Sequence, residues 1–134
     1  MIKEDCIFCK IAQKQIPSAI IYEDDNYLAF LDRNPMHPGH TLLIPKEHTD
    51  YIFDLNDEKL SELFIISKKV SQILKKATNC EKVGIAVEGF LVRHVHVHLV
   101  PLNNGDSLDP CLQKPAEQSE LDSVYEKIIK SKEK

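Results

Sequence analysis

No apolar run in this 134-residue chain approaches the roughly 18 residues that a membrane span requires. The opening stretch, Met1-Ile2-Lys3-Glu4-Asp5-Cys6, lacks the long apolar core of a secretory leader. An excess of positive charge is missing too. The 17 Lys and Arg are outnumbered by 21 Asp and Glu, and a net charge of −4 speaks against bulk binding of duplex nucleic acid. Glycines and cysteines number four each, with no repeat or low-complexity tract. The chain therefore reads as a soluble cytoplasmic protein, without a membrane partner, whose thiols are reduced or metal-bound. With 43% hydrophobic and 28% charged residues it is expected to form a single domain, 1–134, with its own core.

What is present is concentrated in one place. Half of the six histidines fall in His94-Val95-His96-Val97-His98, alternating with apolar residues. Period two in a Val/Leu-rich run predicts a strand from Phe90 to Pro101, with the histidines on one face and Val95, Val97 and Leu99 in the core. Same-face side chains on a strand stand roughly 6.5–7 Å apart, too far for direct hydrogen bonds along the row. Such a row is a metal site, a catalytic site or a shared version of both. A lone histidine on a strand usually has a plain packing or surface role. Three are harder to explain that way: buried, each needs a polar partner, and exposed, they repel one another once protonated near pH ~6.5. Gripping one ion with all three would strain a single strand.

Around that row the pattern predicts an α+β domain, a five-stranded and mainly antiparallel sheet covered by one long helix. A short N-terminal helix spans Cys6 to Gln15. Strands follow at 19–23, 27–32 and 40–45, the first two joined by Asp24-Asp25-Asn26. The long helix runs from about Asp57 to Ala77, capped by Asn56 or Asp54, with an apolar stripe through Leu63, Ile66, Val70 and Leu74. A fourth strand covers 83–87. An exposed connector is expected over 102–116 and a closing helix over 117–132.

Cys6-x-x-Cys9 admits three readings: half a zinc site, a redox pair, or chance. His48 and the histidine row could complete a zinc site, though no local spacing forces it. Gly39-His40 opens a strand after a Pro-Gly turn, where an imidazole could orient a member of the row.

These residues together resemble the histidine triad (HIT) superfamily of nucleotide hydrolases and transferases. His94-Val95-His96-Val97-His98-Leu99-Val100 is similar to its His-φ-His-φ-His-φ-φ motif. The resemblance extends in order through Ile7-Phe8-Cys9-Lys10-Ile11, Ile16-Pro17, Tyr22-Glu23-Asp24-Asp25, Leu28-Ala29-Phe30-Leu31-Asp32 and Gly39 to Lys46. It implies that His96 attacks the α-phosphorus of a purine nucleotide, giving a nucleotidyl-histidine intermediate, with His98 on the phosphate and His40 supporting the triad's middle. Asp32 would receive the ribose hydroxyls, and Ile7, Phe8, Ile11, Phe30 and Leu31 would wall the base. The zinc-containing branch of the family implies structural Zn2+ on Cys6, Cys9, His48 and His94, and the family is usually a homodimer. Many phosphoramidases of the family carry Gly-Gln-Ser-Val upstream of the triad, where this chain has Gly89-Phe90-Leu91-Val92. That difference leaves a nucleotide-binding regulatory module with little turnover as the alternative reading.

Overall fold

Asp24 closes the first hairpin, its Oδ1 accepting the backbone N–H groups of Asn26 and Tyr27 at 2.8 Å each. The turn joins β1 (Ile20–Glu23) to β2 (Tyr27–Leu31), which pairs with β3 (Thr41–Pro45). The computed structural model describes residues 3–133. Its sheet is completed by β4 (Lys82–Ala86) and β5 (Val97–Leu102), in the spatial order β1-β2-β3-β5-β4, with every pairing antiparallel.

Helix α2 (Asp57–Thr78) begins where Asn56 accepts the Lys59 N–H and ends at Asn79, a left-handed residue with φ 56°. Its buried stripe, Leu63, Ile66, Val70 and Leu74, packs against Ala29, Leu31, Leu43, Val97 and Leu99. Removing side chains of this size from water contributes ~1.5–3 kcal/mol each. Helix α3 (Gln118–Lys132) adds Ile128 to the same core. The alternate residues of the strands, Leu28, Phe30, Leu42 and Ile44, face the other way and meet α1 (Ile7–Ala12) through Phe8, Cys9 and Ile11. The second face is thin, and there the histidines emerge. Among the described residues, no helix is long and apolar enough to cross a membrane.

Three expectations about the elements need correction. Helix α1 stops at Ala12 rather than Gln15, because Lys14 takes φ 65° and its neighbour Gln15 bonds back to the Lys10 carbonyl. The last strand begins at Val97, not at Phe90. On one side β3 pairs with it only from Leu43↔Val97, and on the other β4 runs out at Ala86↔His98, so residues 90–96 lie outside the ladder. They keep the alternation all the same: Val95 enters the core, held by its N–H on the Thr49 carbonyl at 2.7 Å. The segment after β5 is also more than a connector. Leu108, Pro110 and Gln113 wall the cleft described next.

Candidate functional site

His40, His96 and His98 meet on the thin face of the sheet, beside a cleft of about 810 Å³. The register places them. Leu42 pairs with His98, and His40 stands two residues before Leu42, so its ring reaches the next strand. His40 Nε2 lies 2.9 Å from His98 Nδ1. The expected support of the middle histidine is thus corrected: His40 bonds the third one. The His96 and His98 ring centroids close to 5.0 Å, nearer than the spacing of same-face side chains on a regular strand.

The hydrogen-bond network assigns the tautomers. The Met36 backbone N–H donates to His40 Nδ1 at 3.0 Å, so the proton of neutral His40 sits on Nε2 and is donated to His98 Nδ1. The proton of His98 is therefore on Nε2. His96 takes the opposite form, donating Nδ1–H to the His94 carbonyl at 2.7 Å and leaving an Nε2 lone pair. One imidazole offers a base and nucleophile, its neighbour a donor. Burial favours the neutral forms: it pushes His40 down to about 3 and His98 to about 4, and lowers His96. Phe8 holds the His96 ring edge to face, with centroids 4.9 Å apart.

Asp32 is 9% exposed at the end of β2. It accepts the Asn34 N–H at 2.9 Å and the Gln113 side-chain amide at 3.1 Å, while burial raises its carboxyl above the ordinary value. Its Oδ2 lies 3.6 Å from His40 Nε2, which beside a neutral imidazole is a polar contact rather than an ion pair. Asp32, His40 and His98 lie close enough for a metal. The Met36 N–H argues against one, because it occupies Nδ1 and leaves His40 Nε2 protonated.

Ile7, Phe8, Ile11 and Phe30 form an apolar wall of the cleft. Leu31 differs. It touches the rim, but its side chain packs in the helix-facing core, as strand alternation demands next to Phe30. Gln113 and the Ser18 hydroxyl also line the cleft, and Ser18 Oγ is buried without a hydrogen-bond partner. Neither residue carries a periodic signal, and tertiary packing alone brings them there.

His94 parts from its neighbours. Its Nε2–H donates to the Pro45 carbonyl at 2.7 Å, turning the Nδ1 lone pair towards Cys6 Sγ and Cys9 Sγ, each 3.4 Å away. His48 Nδ1 stands 3.4 Å from Cys9 Sγ. All four ligand atoms fall within 4.8 Å of one another. Metal–ligand bonds of roughly 2.0–2.3 Å make tetrahedral edges of roughly 3.3–3.8 Å, so the donor set and its spacing fit Zn2+. The thiol of Cys9 is raised by burial, a cost that a cation between the sulfurs reverses.

The chain is similar to several known proteins. An uncharacterized HIT-like protein of Borreliella burgdorferi is 41% identical over 109 residues, covering 76% of this chain and 78% of that protein. The adenosine 5′-monophosphoramidase HNT1 of Saccharomyces cerevisiae is 35% identical over 120 residues, covering 89% and 75%. The structure of a Zn-bound histidine triad family protein from Mycobacterium smegmatis superposes with a TM-score of 0.78 at 28% identity, covering 96% of each chain. The HIT domain is matched over residues 13–105, which takes in β1 to β5 and the histidines between them. The chain belongs to the HIT domain family.

Proposed function

We propose that the protein is a nucleotide hydrolase that transfers the nucleotidyl group of a purine nucleotide through His96. The observation that carries this reading is the pair of opposed tautomers, a free lone pair on His96 Nε2 beside a protonated His98 Nε2. A base lies against Ile7, Phe8, Ile11 and Phe30, with Leu31 at the rim, and Asp32 receives the ribose hydroxyls once Gln113 yields its bond. His98 Nε2–H, held by His40, donates to a phosphoryl oxygen and stabilises the charge that builds there. The Nε2–phosphorus bond forms as the bond to the leaving group breaks. Water then attacks the same phosphorus, the electron pair returns to Nε2, and nucleoside monophosphate departs. A proton taken from solvent by a leaving amine is balanced by the one released from that water.

Cys6, Cys9, His48 and His94 would hold a structural Zn2+, tying the N-terminal helix to the segment that carries the nucleophile. The family resemblance also implies a homodimer. A second reading, nucleotide binding with little turnover, draws on Phe90 and Leu91, which put no hydrogen-bonding side chain on the rim beside the histidines.

Incubation with adenosine phosphoramidate or a dinucleoside polyphosphate, followed by nucleotide separation and intact-protein mass spectrometry, tests the first reading. AMP release and a mass gain of one nucleotidyl group, both lost in His96→Ala, are expected. Saturable nucleotide binding with neither product would establish the second reading instead.

A further inference from the structure

Among the described residues, Ser18 Oγ is the only buried side-chain oxygen or nitrogen without a hydrogen-bond partner. An enclosed hydroxyl left unpaired is a standing cost to the fold, and native structures keep few of them. Ser18 also lines the cleft, and the sheet register places it at one end of it. Ile20 pairs with Phe30, and the Leu31 N–H donates to the Ala19 carbonyl at 3.0 Å, so one further step brings Ser18 opposite Asp32. Alternation settles the faces. Ala19 and Leu31 pack in the helix-facing core and Ile20 and Phe30 on the other side, so Ser18 and Asp32 share the cleft face. No hydrogen bond joins the two, and Asp32 is held instead by the Asn34 N–H and the Gln113 amide.

A sugar hydroxyl has two needs where water is kept out. Its proton needs an acceptor, which the Asp32 carboxylate supplies, and its oxygen needs a donor, which an ionised carboxylate cannot be. The Gln113 amide is engaged on Asp32 Oδ2 and on the Asn34 carbonyl at 2.8 Å, so the bond it yields to a ribose frees one donor for two hydroxyls. Arg33 and Asn34 also line this end, but both are exposed, and a bond that either makes to a ligand replaces one to water. The Ser18 O–H has no bond to give up. A turn about χ1 carries Oγ between staggered positions, and a bond made to a ligand in the cleft is a net gain.

Resting on the nucleotide reading of this site, we infer that Ser18 is a specificity-determining residue for the sugar, its O–H donating to one ribose hydroxyl while that hydroxyl donates to Asp32. The ligands favoured are nucleotides with an intact 2′,3′-diol. A nucleotide lacking the hydroxyl that Ser18 serves leaves the serine unpaired, as it is in the empty cleft.

The test is calorimetric binding of AMP, 2′-deoxy-AMP and 3′-deoxy-AMP to the wild-type protein and to Ser18→Ala. The substitution should weaken AMP by roughly threefold to tenfold, as the loss of one net hydrogen bond does. It should weaken one deoxy analogue equally and leave the other untouched, and the untouched analogue names the hydroxyl that Ser18 serves. Urea unfolding of the ligand-free variant should show a midpoint no lower than that of the wild type, because alanine removes an unpaired hydroxyl and breaks no bond. Lost recognition is thereby separated from lost structure. Equal losses for all three nucleotides, or no loss for any, overturn the role of Ser18 while nucleotide binding stands. No saturable binding of AMP to the wild-type protein overturns the nucleotide reading as well.

Discussion

Replacing His40 with Asn should flatten the pH dependence of stability by one proton. His40 is 1% exposed and His98 is mostly buried, and both are held neutral, at about 3 and about 4, where an unfolded chain protonates them near 6.5. The unfolded state therefore binds more protons below pH 6.5. Stability is complete above that value and is lost as pH falls towards the folded values. Each histidine contributes a slope of about 1.4 kcal/mol per pH unit inside that window, so going from pH 8 to pH 5 costs about 2 kcal/mol apiece, or about 4 kcal/mol for the two. Against a typical total of ~5–15 kcal/mol this is large. Asn is the informative replacement, because its Oδ1 can take over the acceptor role that Nδ1 plays for the Met36 N–H. Urea unfolding at half-unit steps from pH 8 to pH 5 reads the slope in both proteins. Any proton uptake linked to metal release is common to them and cancels in the difference. Identical slopes would refute the claim that His40 is buried neutral.

Three further outcomes follow from the geometry. Chelation of bound metal, or His94→Ala, should lower zinc content by elemental analysis and the melting temperature by ~10 °C or more, as losing a closed two-cysteine, two-histidine site demands. Gly39→Ala should cost about 2–3 kcal/mol in urea unfolding, since Gly39 has φ 92° and a Cβ there would stand 2.9 Å from Pro101 Cγ. Asp32→Asn should weaken binding of a ribonucleotide about tenfold by calorimetry while scarcely changing that of its 2′,3′-dideoxy analogue, because the lost partners are hydroxyls. Equal losses for the two nucleotides would place the ribose elsewhere.

Much of this arrangement could be read from residue order alone, and the failures have one cause. Alternation in 94–99 correctly separated the imidazoles from Val95, Val97 and Leu99, because a side chain's face depends only on an extended backbone. Pairing depends on a neighbour, and β4 ends too early to extend β5 back to Phe90. Register is equally invisible in residue order, and it is the pairing of Leu42 with His98 that gives His40 the third histidine as its partner rather than the middle one. Asn56 and the α2 stripe were legible because caps and helical faces are local. Gln113 was not: it lies 81 residues from Asp32 in a segment without periodicity.

His94 has two ends. Its ring belongs to the cysteine cluster, and its carbonyl receives the His96 Nδ1–H at 2.7 Å. A single residue thus lies between the proposed zinc site and the proposed nucleophile, with no flexible segment to absorb a disturbance in either. Changes at Cys6 or Cys9 and changes at His96 should therefore not behave as independent sites. Their effects on nucleotide affinity are expected to fall short of, or exceed, the sum of the single effects by ~0.5–3 kcal/mol.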